Sequence, residues 1–239
     1  MAKILLIETS GTVCSAAMAE DGRVLALVET FDVGSHAAYL TPHIETCCQQ
    51  SGIALAQIDA VAMSKGPGAY TSLRVGASVA KGICYGLDKP LIALNTLEAL
   101  AYGCRAAGVP EDGQVPVWVP MLDARRQELW LALYGADMQE IASAQPLVLE
   151  NNSFEDFLAH YVKNLSGFRF VLTGSGIEKV RNGGFWQKSD FEGPEKNSAT
   201  NLVELAEKAY KMAVFEDIAY FEPFYMKPPN ITTPGKPPF

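Results

Sequence analysis

The segment Lys65-Gly-Pro-Gly-Ala-Tyr-Thr-Ser-Leu-Arg-Val-Gly-Ala-Ser-Val-Ala-Lys-Gly82 constrains the fold more than any other part of the chain. An apolar stretch, Ile58 to Ser64, runs into Gly66-Pro67-Gly68, and helical periodicity begins directly after it. That order predicts a buried strand, a tight turn and a helix over Thr71–Leu87, with Thr71 or Ser72 as N-cap. Gly66 and Gly68 permit backbone angles closed to other residues, and Pro67 fixes the turn between them. Amides at such a junction can face an anion, with the helix dipole in support. The plainer reading is a tight turn into a packed helix.

The helix carries two distinct faces. Ser72, Gly76, Ala80 and Cys84 recur every four residues and form a ridge of small side chains. Val75, Val79, Ile83 and Leu87 form an apolar row beside it, while Arg74, Ser78, Lys81 and Tyr85 form a polar one. The apolar row reads as ordinary core. The small ridge lets another backbone come close, either a sheet of the same chain or a helix of a partner.

Upstream, Lys3–Glu8 and Val13–Ala19 read as strands, and Asp21-Gly22 as a hairpin turn into a third strand from Arg23 to about Phe31. A helix follows over about Ser35–Ser51, where Pro42 predicts a kink or a late start. Pro90–Leu94 is a short strand leading to a helix that begins near Asn95-Thr96 and ends before Gly108. The second half repeats the order. Pro116–Leu122 ends in Asp123 as Lys3–Ile7 ends in Glu8, and Glu128–Tyr134 answers Val13–Ala19. A helix from Phe154 to about Asn164 with Ser153 as cap precedes a strand, Phe168–Leu172. That strand enters Gly174-Ser-Gly176, and a last helix starts at Thr200 or Asn201 and ends near Val214. The expectation is a duplicated α/β fold of two βββαβα halves, residues 1–108 and 109–220, with a proline-rich tail over 221–239 draped on the surface.

In folds duplicated this way, acids at strand ends line a cleft between the halves. Glu8, Thr9, Ser10, Gly66, Gly68 and Asp123 occupy those places. Acids so placed can hold a magnesium-bound phosphate, but the second site lacks the glycine run that would wrap it, so the cleft reads as degenerate. His36, His43 and His160 show no His-x-x-x-His spacing, and neither a Gly-x-Ser-x-Gly elbow nor a phosphate-binding Gly-x4-Gly-Lys-Thr loop occurs. Five cysteines without a Cys-x-x-Cys pair predict neither a disulfide framework nor a zinc cage, and point to a reducing cytoplasm. A net charge of −8 argues against a self-sufficient nucleic-acid binder. No signal peptide, membrane span or cofactor is expected.

Several stretches together resemble one family. They are Ile4-Leu-Leu-Ile-Glu-Thr-Ser10, Cys14-Ser-Ala-Ala-Met18, Ser35-His36, Leu40-Thr-Pro42-His-Ile44, Lys65–Gly82, Leu94-Asn-Thr-Leu-Glu98, Leu122-Asp-Ala-Arg125 and Pro223-Phe-Tyr-Met-Lys227. Over nearly its whole length the chain is similar to the bacterial TsaB (YeaZ) family. Glu8 stands where that family usually has Asp, Ala69-Tyr70 where Ser-Phe is common, and Ser72 where Gly is common.

The resemblance implies an actin/Hsp70/sugar-kinase-like fold. It also implies a non-catalytic subunit for threonylcarbamoylation of N6 of the adenosine beside the anticodon in tRNAs reading ANN codons. The implied partners are a catalytic TsaD-type homologue and an ATPase of the TsaE type, with tRNA reached through the complex and a homodimer when alone. Family members pair through the first two helices, which implies an interface of Tyr39, Leu40, His43, Cys47, Ser72, Gly76 and Ala80. The competing reading is a phosphotransferase or ATPase of the same fold using Glu8 and Asp123 with magnesium, with a metallopeptidase as a distant third.

Overall fold

The computed structural model describes residues 1–31, 34–108, 113–186 and 191–225. The expected boundary at 108/109 adjoins residues outside that set, as does the tail beyond 225. The first half comprises β1 (Lys3–Glu8), β2 (Cys14–Glu20), β3 (Arg23–Thr30), α1 (His36–Ser51), β4 (Ala60–Gly66), α2 (Tyr70–Leu87), β5 (Leu91–Asn95) and α3 (Thr96–Ala107). The second comprises β6 (Val115–Asp123), β7 (Glu128–Tyr134), β8 (Glu140–Val148), α4 (Ser153–Tyr161), β9 (Phe168–Thr173), α5 (Ile177–Asn182), β10 (Phe191–Glu192) and α6 (Val203–Lys211).

Strand order proves the duplication. One sheet runs β3-β2-β1-β4-β5 and the other β8-β7-β6-β9-β10, each with two antiparallel pairings followed by two parallel ones. Each half is therefore βββαβαβα; the first half has the elements read from the sequence, the last strand and helix lying beyond the βββαβα shorthand, and the second has one strand and one helix more than expected. The short β10 and α5 carry too few residues for periodicity to reveal them.

Local chemistry explains most boundaries. Asp21 and Gly22 both take positive φ (50° and 72°), as the tight β2–β3 turn requires. Asn95 caps α3, its Oδ1 accepting from the amides of Leu97 at 2.8 Å and Glu98 at 3.3 Å. Three expectations need correction. The residue preceding α2 is Ala69, which provides no side-chain cap, so neither Thr71 nor Ser72 plays that role. Helix α1 begins six residues before Pro42 rather than late, since tertiary packing overrides the one lost N–H bond. Helix α4 stops at Tyr161, and Ser153 Oγ accepts from the amide of Glu150 at 2.9 Å instead of capping the helix.

Five layers result. Alternation along β1 sends Leu5 and Ile7 to one core and Ile4 and Leu6 to the other, so this strand is apolar on both faces. Helices α1 and α2 cover the outer face of the first sheet, and α4 and α5 cover the outer face of the second. Between the sheets lie α3, packed on β6, β7 and β9, and α6, packed on β1 and β5. Each half thus lends its last helix to a core that both sheets share.

The small ridge of α2 meets this chain's own sheet. Ala80 and Cys84 are fully buried, and a Cβ placed on Gly76 would lie 2.3 Å from Thr9 Oγ1. Leu40 and Cys47 of α1 are also fully buried, with the Cys47 thiol 3.1 Å from the carbonyl of Ala16. These residues hold the two helices onto the sheet. Ala80→Arg should accordingly destabilise the fold by several kcal/mol, because an unpaired guanidinium would be forced into a close-packed core. A circular-dichroism melt showing wild-type stability for A80R would refute this packing.

Candidate functional site

Glu8 ends β1 with its side chain fully buried. Three donors converge on its carboxyl. The Ser10 amide donates to Oε1 at 2.6 Å, the Ser64 hydroxyl donates to Oε2, and Asn197 Nδ2 donates to Oε2 at 2.9 Å. The same Asn197 amide lies 3.2 Å from Ser10 Oγ, and Asn197 Oδ1 accepts from Asn201 Nδ2 at 2.9 Å. Two residues further on, the Ala199 amide donates to Ser15 Oγ at 3.0 Å. A segment of the second half is thereby bonded across the strand ends of the first, at the place where a degenerate cleft was expected. Nothing in the sequence marked Asn197, which sits in a loop without periodicity.

The Gly-Pro-Gly loop is enclosed too. The Ala69 amide donates to the Ser10 carbonyl at 2.7 Å, and a Cβ on Gly68 would lie 2.5 Å from that same oxygen. On the other side Gly66, at φ +117°, leaves 2.5 Å between a notional Cβ and the Phe224 carbonyl. Both glycines serve close backbone approach rather than an anion. Thr9 is buried against Gly76 of α2, so Glu8, Thr9, Ser10, Gly66 and Gly68 do come together as the sequence placed them.

Asp123 stands apart from this cluster. Its side chain is 44% exposed and bridges to Lys179 Nζ, while its Oδ1 accepts from the Arg125 amide at 2.6 Å. Among the described residues Glu8 and Asp123 share no hydrogen-bond partner. Magnesium demands anionic oxygens that are free to ligate. Here one carboxyl is saturated by chain donors and the other neutralised by a lysine, so this pair does not fit a magnesium-phosphate site.

The histidines are structural. His36 Nε2 lies 3.2 Å from the Val13 carbonyl, and His43 Nε2 lies 2.8 Å from Thr30 Oγ1. Burial pushes the pKa of His43 down, against the pull of nearby Glu29. Burial also raises the Cys14, Cys47, Cys84 and Cys104 thiols to about 11, which makes all four poor nucleophiles.

The second feature is a groove on the outer layer, between α1 and α2, lined by Ala37, Tyr70, Thr71, Arg74, Val75, Ser78 and Val79. Arg74 Nη1 donates to Tyr70 Oη at 3.2 Å and the guanidinium lies over the Tyr70 ring. Of the seven residues expected at an interface, Leu40, His43, Cys47, Gly76 and Ala80 are buried in the chain's own core. Tyr39, 37% exposed, and half-buried Ser72 remain accessible. Of the two neighbours open to the small ridge, it meets the chain's own sheet, and the Val75–Leu87 row packs half-buried against the same core. The small ridge is the core face, and Val75 and Val79 border the groove. The polar row of Arg74 and Ser78 was visible in the sequence and could have located it, but the sequence reading placed the interface elsewhere.

A sequence profile of the family described as TsaD, tRNA N6-adenosine threonylcarbamoyltransferase, matches residues 33–232. The chain belongs to that family, on its TsaB/YeaZ branch. It is 27% identical over 229 residues to a Haemophilus influenzae protein named tRNA threonylcarbamoyladenosine biosynthesis protein TsaB, covering 94% of this chain and 93% of that one. The Escherichia coli protein of the same name is 33% identical over 135 residues, 56% of either chain. Among solved structures, YeaZ from Pseudomonas aeruginosa superposes with a TM-score of 0.76 at 24% identity, covering 94% of this chain and all of that one. That likeness shows a shared fold, with the duplicated α/β order expected from the sequence.

Burial raises the pKa of Glu8, with the Ser10 and Ser64 hydrogen bonds partly offsetting it. A carboxyl raised on folding contributes stability that is fully present below its unfolded pKa and is lost as pH rises through the folded value. The melting temperature of Glu8→Gln minus that of the wild type should therefore increase as pH rises above about 4.5. Glu8→Ala should cost about 2–4 kcal/mol, since it strands buried donors. Parallel pH profiles for E8Q and the wild type would refute the raised pKa.

Proposed function

We propose that this chain is a non-catalytic, partner-binding subunit in tRNA threonylcarbamoyladenosine biosynthesis. It pairs through α1 and α2 with a homologous catalytic subunit of the TsaD type. The names of its relatives supply the process. The observation that carries the role is the sealed strand-end cluster. Glu8 is saturated by Ser10, Ser64 and Asn197, in a fold whose chemistry would otherwise be done there. What the surface offers instead is the α1–α2 groove, where Tyr and Arg side chains border apolar valines, the composition of protein interfaces. A homologous fold presents an α1–α2 pair of the same shape, so pairing forms a four-helix contact.

The net charge of −8 supports a scaffold whose partner holds the tRNA, with a TsaE-type ATPase joining the assembly. A homodimer through the same groove is the arrangement for the chain alone. The reducing cytoplasm, where charged tRNA-modifying assemblies work, is the compartment that fits five free thiols. Among the described residues no helix is long and apolar enough to cross a membrane.

Expression of this gene with its cognate catalytic homologue in cells depleted of their own TsaB should restore N6-threonylcarbamoyladenosine in tRNA, read by mass spectrometry. Ser78→Arg should leave the melting temperature unchanged, since Ser78 is exposed, and should weaken binding of the catalytic homologue at least tenfold by calorimetry. Turnover of ATP by the isolated chain, abolished by Asp123→Ala, would overturn the non-catalytic reading.

A further inference from the structure

Beyond α6 the chain does not drape loosely over the second half. It crosses back onto the first. The Glu216 amide donates to the Leu91 carbonyl at 2.8 Å, a single antiparallel bridge on the free edge of β5. Glu216 Oε1 lies 3.6 Å from Lys65 Nζ. Lys81, on the polar row of α2, donates to the carbonyls of Ala219 at 3.4 Å and Phe221 at 3.0 Å. Phe221 is 7% exposed and joins the core beneath α2. The Phe224 amide then donates to the Lys65 carbonyl at 2.6 Å, and the Tyr225 ring meets that of Tyr70 at 4.7 Å.

The first part of this strap has an ordinary purpose. Covering the edge of β5 and burying Phe221 stabilises the monomer. That purpose ends at Phe221. The next residues instead build an aromatic cluster that a monomer has little reason to display, with Tyr70 40% and Phe224 48% exposed. Tyr70 is also a wall of the α1–α2 groove, and Arg74, its neighbour one turn on, points over its ring. Tyr225 therefore abuts the groove at the N-terminal end of α2, held there by the Phe224–Lys65 backbone bond. Aromatic rings and arginines fixed before association are the residues that carry binding energy, because little side-chain freedom is then lost.

We propose that residues 216–225 form a third wall of the pairing face, and that Tyr225 is a positioning residue. It holds Tyr70 and Arg74 in the conformation that a homologous α1–α2 pair binds. This inference rests on the pairing role proposed for the groove. It adds that the face is composite, drawn from both ends of the chain.

Binding of the cognate catalytic homologue to the full chain is measured by calorimetry for Tyr225→Ala, Tyr225→Phe and Ser78→Arg, beside circular-dichroism melts. Y225A should bind at least tenfold more weakly at an unchanged melting temperature, and Y225F, which keeps the ring, should restore wild-type affinity. A loss confined to kcal of folding would instead lower the melting temperature of Y225A. In that case affinity is compared where the variant is fully folded, and undiminished binding there overturns the proposal. Weakened binding by S78R with normal binding by Y225A overturns the strap and leaves the groove standing. Normal binding by both variants overturns the groove reading and the strap with it.

Discussion

The close approach of Gly76 of α2 to Thr9 at the end of β1 decides what the outward surface of α2 looks like. A helix can lie this near a sheet only where its contact ridge has almost no side chain, and Gly76, Ala80 and Cys84 provide that ridge. Once they are committed inward, the helix has no rotational freedom left. Val75 and Val79 are turned to the flank and Arg74 and Ser78 to the surface. The groove between α1 and α2 is thus a by-product of core packing, and its composition follows from a constraint on the opposite side of the helix.

The same economy governs the strand ends. In a duplicated fold the two sheets point equivalent ends at one another, and here hydrogen bonds from Asn197 and Ala199 span that space. Glu8 is a longer side chain than Asp and reaches Ser64 and Asn197 together. A buried carboxyl with three donors is costly to ionise and costly to leave unpaired, so it fixes the relative position of the halves more firmly than apolar contact alone would. The cluster gives the junction of the halves its rigidity.

Much of this was legible in the residues. The Asp21-Gly22 turn, the Asn95 cap and the strand-to-glycine junctions announce themselves because each rests on local backbone physics. The repeat of strand order could be read for the same reason. Faces were harder. A small-residue ridge has the same signature whether the neighbouring backbone belongs to a sheet below or to a helix of another chain, and no periodicity separates the two. Asn197 and the strap residues Glu216 and Phe221 were invisible as such, since their roles depend on contacts with residues far away in the sequence. Short β10 and α5 lacked the length for a pattern to form.

The exchange of terminal helices has a consequence for how the protein is made. Strands β1, β4 and β5 leave the ribosome early, yet one face of their sheet waits for α6 and the edge of β5 waits for Glu216. Ser10 and Glu8 wait for Asn197. The first half cannot finish folding as a vectorial unit, ahead of the second, in the way that successive independent domains do. α3 covers part of its inner face, but the stretch around Ile4, Leu6 and Ala17 stays uncovered until α6 has been synthesised. Until α6 emerges, a nascent chain of this architecture presents apolar sheet surface to solvent.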